Sequence, residues 1–148
     1  ADNFYEFWFR FMSRYQALRE INQKERAFDK IWEKLPEYEG FKLEALIRRI
    51  FIELNPFELE FNQMGRHWDR KGESEIDLIL VDDDSGRAYV VEVKRSLAKS
   101  LKKDEQIKLY TKVATVIPLA NYDVHYLYAG IDGRDIVIID ENNKRFVL

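Results

Sequence analysis

Apolar residues recur at helical spacing through the first third of the chain and alternate with polar ones through much of the remainder. Phe4, Trp8, Phe11 and Tyr15 fall on one stripe of a first helix, with Phe7 and Phe9 lying off it. Phe28, Ile31, Trp32 and Leu35, at i, i+3, i+4 and i+7, predict a second helix that Pro36 and Gly40 punctuate. Leu43, Leu46, Ile47, Ile50 and Leu54 predict an amphipathic third helix over 41–55. Pro56 stops it, because the residue before a proline is pushed out of helical geometry. The alternating "FELEFNQM" predicts a strand over 57–64, followed by the polar segment "GRHWDRKGES". Residues 75–96 then read as two apolar strands joined by an acidic turn. A helix is expected from about Ser100, with Ser100 as its N-cap and Asp104 and Glu105 at the positive end of its dipole. Ile107, Tyr110, Ala114 and Ile117 are its expected buried face. "DVHYLYAG" and "DIVIID" complete the pattern as two further strands. Helices followed by α-β-β-β-α-β-β predict an α/β domain, a mixed sheet with helices packed on its faces. The one candidate boundary lies between the N-terminal helices, residues 1–38, and a domain over 39–148.

The hairpin carries charge where buried strands normally carry none. Asp77 interrupts an isoleucine and leucine run, and Glu92 and Lys94 interrupt a valine run. Strand side chains alternate, so Asp77 shares a face with Ile79 and Val81, and Glu92 and Lys94 share one with Val90. A turn over Asp83–Gly86 pairs Asp82 with Arg87, and the same register carried inward sets Asp77 opposite Glu92. Like charges facing each other destabilise a hairpin, and in a partly buried site one acid should keep its proton unless a cation intervenes. Lys94 could neutralise one acid as a buried salt bridge. Two acids against one lysine still leave a negative charge, which a hard divalent ion such as Mg²⁺ or Mn²⁺ would balance through carboxylate and carbonyl oxygens. Spacing alone leaves both readings open.

Composition narrows the setting. The 148 residues suffice for one domain with a real core, and 34% of them are charged. A net charge of −3 argues against a broadly basic nucleic-acid coat, though not against a local basic groove. The absence of cysteine removes disulfides and thiolate metal sites, and no apolar run approaches the length of a membrane span. A cytoplasmic location and no membrane partner are the expectation. The aromatic opening without a leading methionine reads as a segment cut from a longer protein whose upstream part covers some of those rings. A well-buried first helix accounts for it equally.

An acid in one strand followed by Glu-x-Lys in the antiparallel next strand resembles the PD-(D/E)xK nuclease superfamily: Asp77, then "EVK" at 92–94, with Glu44 of "GFKLEALIRRIF" matching the helix glutamate of many members. More closely, "DNFYEFWFRF", "GFKLEALIRRIF", "GRHWDRKGESEIDLIL" and "VVEVKRS" resemble the C-terminal domain of archaeal-type P-loop ATPases. Ile76 stands where the superfamily's proline would be, and no phosphate-loop motif is present, so any ATPase activity would belong to another part of the polypeptide. The resemblance implies a restriction-endonuclease-like α/β/α core preceded by N-terminal helices. It also implies a metal-dependent DNA endonuclease-like domain, joined to upstream ATPase and winged-helix domains, with a homo-oligomer compatible. Asp77, Glu92 and the Val93 carbonyl would then hold Mg²⁺ or Mn²⁺, Lys94 would orient the attacking water, and Glu44 would reach the metal or its waters. A pair between Glu44 and Arg48 is the bland alternative.

Other residues are less specific. Gln106 and Tyr110 fit the Gln-x-x-x-Tyr element of RecB-like nucleases and sit one turn apart, although Tyr110 also fits the core stripe. Arg66, Arg70, Lys71, Arg95, Lys99, Lys102 and Lys103 cluster around the motif and could track a phosphate backbone, or simply be solvated. Trp68 and Asp69 read as fixing the loop over the site. His67 and His125 lack cysteine partners, which makes zinc improbable. Two functions compete: a nuclease, or an inactive module that keeps the fold for DNA binding or partner docking and so regulates the ATPase. A glycosidase-like carboxylate pair fails, since adjacent strands leave no sugar-sized gap.

Overall fold

The computed structural model describes residues 6, 8–68 and 75–148. The chain divides into two compact units, Ala1–Glu39 and Gly40–Leu148. Among the described residues a six-stranded sheet is accompanied by a 3₁₀ turn (Ile117–Leu119) and five longer helices. They are α1 (Trp8–Ser13, wound as a π-helix), α2 (Gln16–Glu20), α3 (Lys24–Glu53), α4 (Leu97–Ser100) and α5 (Lys103–Ala114). The strands are β1 (Gln63–Trp68), β2 (Glu75–Asp82), β3 (Arg87–Ser96), β4 (Asp123–Asp132), β5 (Asp135–Ile139) and β6 (Arg145–Val147), and they lie in the sheet in chain order. All neighbours are antiparallel except β3 and β4, whose parallel pairing requires the crossover through α4 and α5. No described helix is long and apolar enough to cross a membrane.

In the first unit Phe11 is buried and meets Tyr38 edge-on, ring centroids 5.3 Å apart, with Ala27 also buried. Phe4 of the expected first stripe, and Phe7 off it, lie outside the described residues. The expected second stripe is not a core face: Phe28 and Trp32 are 61% and 64% exposed and stack on each other instead. Nor do Pro36 and Gly40 separate two helices, because both lie inside α3. A proline removes one N–H from the ladder, but residues on either side keep their own bonds, and Gly40 holds ordinary helical backbone. A breaker flanked by strong helix formers is overridden.

In the second unit the sheet alternation sends side chains to two cores. Leu43, Ile47, Ile50 and Phe51 of α3 pack on Leu78, Leu80, Val91, Val93, Leu127 and Ala129. Leu109 and Val113 of α5, with Val116 and Leu119 beyond it, pack with Ile79, Ala88, Val90 and Tyr128. The α5 face therefore differs from the expected one. Ile107, Tyr110 and Ile117 are exposed, and the competing i, i+4, i+7 set Leu109, Val113, Val116 is buried. Leu46 of α3 and Leu54 just beyond its end are likewise exposed, while Phe51, unclaimed by the stripe, is fully buried.

Three element assignments shift. The segment from Phe57 to Phe61 is not a strand, although its alternation is real. Phe57, Leu59 and Phe61 pack on the core, while the Asn55 amide donates to the Leu59 carbonyl (2.8 Å) and accepts from the Leu59 N–H (3.0 Å), replacing ladder bonds. The first strand is instead the polar "QMGRHW". Ser100 does not cap α5: it is buried in α4, its hydroxyl donating to the Leu97 carbonyl, and α5 starts at Lys103. Asp104 and Glu105 do occupy its first turn. The short β6 pairs with β5 beyond the "ENN" turn.

Candidate active site

The hairpin register runs as the turn arithmetic requires from Asp82–Arg87 through Val81–Ala88, Leu80–Tyr89 and Ile79–Val90 to Leu78–Val91. Gly86, at φ +69°, closes the turn with its N–H on the Asp82 carbonyl. Regular pairing then stops one step short of Asp77 and Glu92. The interruption has a cause on each strand. From Gly65 to His67, β1 advances two residues while β2 advances three, so β2 bulges beside Asp77. From Val93 to Ser96, β3 advances three while β4 advances two, so β3 bulges at Lys94 and Arg95. Bulges bend a strand and re-aim its side chains. Asp77 leaves the ladder as a pairing residue and instead accepts the Val93 N–H at Oδ2 (2.8 Å).

The carboxylates remain electrostatic neighbours. Burial, and then the charge of Glu92, push the Asp77 carboxyl from an ordinary 3.8 up to about 7, against the Val93 hydrogen bond. Glu92 is 4% exposed, and its two oxygens differ. Oε1 accepts from Lys94 Nζ at 3.0 Å, whereas the buried Oε2 has no hydrogen-bond partner among the described residues. Lys94 Nζ also lies 3.9 Å from Glu105 Oε2. Burial would lower the Lys94 pKa, but the Glu92 bond and the charges of Glu92, Asp77 and Glu105 raise it, so the side chain stays a cation.

Glu44 reaches this group from α3. Burial raises its pKa, the Arg66 guanidinium opposes that, and the charges of Glu75 and Glu92 add to it. Its ion pair is with Arg66 of β1 (3.5 Å), which also bonds Glu75. The structure thus gathers Asp77, Glu92, Lys94, Glu44 and Arg66. Arg66 is part of the carboxylate network and is not free for other anions. Arg95 and Lys99 are exposed beside it, and the Lys99 charge reaches Glu105. Gln106 and Tyr110 line a groove of about 320 Å³ with Tyr128 and Glu141, to which none of the gathered acids contributes. There the Tyr110 and Tyr128 hydroxyls are 3.2 Å apart. Arg70, Lys71 and Asp69 lie outside the described residues.

Two members were not singled out in the sequence. Glu75 stands two residues before Asp77, a spacing that could have flagged it. Glu105 had been assigned only to the helix dipole, and nothing in the sequence links it to Lys94. Among the described residues no three histidine, cysteine, aspartate or glutamate side chains form a group able to hold a metal. A cage made wholly of side chains, as for zinc, is not what these acids offer. Mg²⁺ is commonly bound through one or two carboxylates with waters and substrate oxygens, and the unpartnered Glu92 Oε2 with the neighbouring Asp77 would suit that smaller demand.

Comparison with known proteins places the chain. The family DUF234, described as "Archaea bacterial proteins of unknown function", matches residues 8–108, a span that includes Glu44, Asp77, Glu92, Lys94 and Glu105. The uncharacterized protein MJECL04 of Methanocaldococcus jannaschii is 33% identical over 138 residues, covering 91% of this chain and 30% of that protein. The chain therefore spans less than a third of the length of this relative. No solved structure matches it. With more than half of its residues matched, the chain belongs to the DUF234 family.

Proposed function

We propose that this domain is a metal-dependent phosphodiesterase of the PD-(D/E)xK, restriction-endonuclease-like kind, acting on DNA. One observation carries the reading: a buried glutamate, Glu92, has one oxygen on a lysine and the other without a partner among the described residues, beside an aspartate whose pKa burial and the Glu92 charge raise to about 7. A site meant only as a salt bridge would not leave that oxygen bare, because an unsatisfied buried acceptor costs about 1–3 kcal/mol. The layered arrangement, with α3 and α5 on opposite faces of a mixed sheet, supports the fold assignment.

In this reading Asp77 and Glu92 would hold Mg²⁺ or Mn²⁺. The residues of one strand pair direct their N–H and C=O to the same edge, so the Val93 carbonyl belongs on the side where its N–H meets Asp77. When bound, such an ion lowers the pKa of a coordinated water and neutralises charge growing on a phosphate. The chain's own residues do the rest. The Val93 N–H fixes Asp77 Oδ2. Lys94 keeps its positive charge beside the acids, available to orient a water or a phosphate oxygen. Arg66 holds Glu44 at the rim. The reading extends to further domains of the same polypeptide, an ATPase and a winged helix by resemblance, for which the greater length of the M. jannaschii relative is the supporting fact.

The test combines Mn²⁺ titration calorimetry with nicking of supercoiled plasmid in Mg²⁺ or Mn²⁺. Wild-type protein should bind Mn²⁺ and nick, Asp77→Asn should lose both, and Lys94→Ala should lose nicking. Equal nicking by Lys94→Ala would expose a contaminant. Binding of DNA without cleavage in either metal would favour the inactive docking module.

A further inference from the structure

We propose that Gly130 is a positioning residue of the acid–lysine site: by having no side chain it lets the β3 bulge press against β4, and the bulge turns Lys94 onto Glu92. The inference rests on the metal-dependent reading above for its consequence, but its geometry stands on separate observations. In a regular strand, residues two apart sit about 6.6 Å apart with side chains running parallel. Lys94 Nζ meets Glu92 Oε1 at 3.0 Å, and where that ammonium can sit depends on where the backbone aims the Lys94 side chain. The extra residue of the bulge, at Lys94 and Arg95 opposite Gly130, bends the strand at that place.

The bulged backbone takes up the space a side chain would need. A Cβ built on Gly130 would lie 2.6 Å from the Lys94 carbonyl oxygen, 2.7 Å from the Leu97 nitrogen and 2.8 Å from the Leu97 Cα. All three are backbone atoms, so none can swing aside as a side-chain tip would. Leu97 is itself buried and begins α4, which leaves the segment between Lys94 and Leu97 little freedom to retreat. From the other side Glu105 of α5 stands 3.9 Å from the Lys94 ammonium. Any residue larger than glycine at 130 must displace the Lys94–Leu97 backbone, and Lys94 with it. Lys94 bonds Oε1 and leaves the buried Oε2 without a partner among the described residues, so moving Lys94 alters the acceptors the metal would use.

The experiment compares wild type, Gly130→Ala and Ala129→Gly. The last removes a fully buried methyl one residue along β4 and controls for simple loss of stability. Each protein is melted by circular dichroism, titrated with MnCl₂, and acylated at its lysines with site-resolved mass spectrometry. In Gly130→Ala the Lys94 amine should acylate about tenfold faster, the size expected from losing one charge-assisted hydrogen bond, and Mn²⁺ should bind about tenfold more weakly. Ala129→Gly should melt earlier with both readouts near wild type. A folded Gly130→Ala protein with wild-type Lys94 acylation overturns the inference. Should that variant fail to fold, deletion of Arg95 from wild type removes the bulge while keeping Gly130, carries the same expectation for Lys94, and decides the matter. Faster Lys94 acylation in a protein whose wild type binds no Mn²⁺ would uphold the positioning role and sink the metal reading instead.

Discussion

Replacing Asp77 by asparagine should stabilise the metal-free protein, and by an amount that depends on pH. Burial and the Glu92 charge raise the Asp77 carboxyl from 3.8 to about 7, which corresponds to about 4 kcal/mol against the ionised form. The folded state therefore binds this proton more tightly than the unfolded chain. Its contribution to stability is fully present below the unfolded pKa near 4 and is lost as the pH rises through about 7. Asparagine still offers an oxygen to the Val93 N–H but carries no charge. Near pH 4 the two proteins should match, whereas near pH 8 the variant should be ahead by roughly 2–4 kcal/mol, allowing for relaxation of the site. At about 2–4 °C per kcal/mol for a chain of this size, the Tm difference near pH 8 is roughly 5–15 °C. Scanning calorimetry in EDTA across that pH range measures it, and the difference curve reports Asp77 together with the groups coupled to it, Glu92 foremost. The same substitution should abolish Mn²⁺ binding, so stability and affinity move in opposite directions. A Tm difference that does not change with pH, or a variant less stable near pH 8, would refute the electrostatic account.

Two further outcomes follow from other parts of the chain. Gly40 lies inside α3, and apart from its own helix backbone no described atom comes within 4 Å of the place a Cβ would take, so Gly40→Ala should raise stability in urea by about 0.5–1 kcal/mol; a loss would show that the helix does not run through this position. Burial lowers the pKa of His125, but hydrogen bonds to Glu141 (3.2 Å) and Asp123 (3.0 Å) outweigh it and raise it above the usual 6.5. Its contribution is present below pH 6.5 and lost as pH rises through the raised value, and an NMR titration should find that midpoint above 6.5 and falling in Glu141→Gln.

The alternation of the strands and the turn at Asp83–Gly86 were legible because a hairpin's register follows from its turn and its apolar rows, and five ladder pairs obey that arithmetic. Helix faces were legible only where one stripe stood alone. On α5 two stripes competed, and the choice of Ile107 and Tyr110 over Leu109 and Val113 failed because periodicity cannot say which side the sheet lies on. The "FELEFNQM" segment shows a different limit. Its alternation records which residues touch the core, while ladder formation depends on whether another group, here the Asn55 amide, takes the backbone bonds first.

The site was legible in its membership and not in its geometry. Charges placed in apolar strands are detectable from sequence because their burial is costly, and that is how Asp77, Glu92 and Lys94 came forward. Their arrangement depends on two bulges, and a bulge is one extra residue whose signature in a single sequence is almost nothing. Without the β2 bulge Asp77 would sit in the ladder facing Glu92 as a like-charge pair; with it, Asp77 turns to the Val93 N–H. The β3 bulge falls at Lys94, whose ammonium bonds Glu92 Oε1 while Oε2 has no partner among the described residues. The flanking apolar pairs fix the register on one side of each bulge, so both irregularities persist with Asp77 on the Val93 N–H and Lys94 on Glu92 Oε1, while the Glu92 charge still raises the Asp77 pKa.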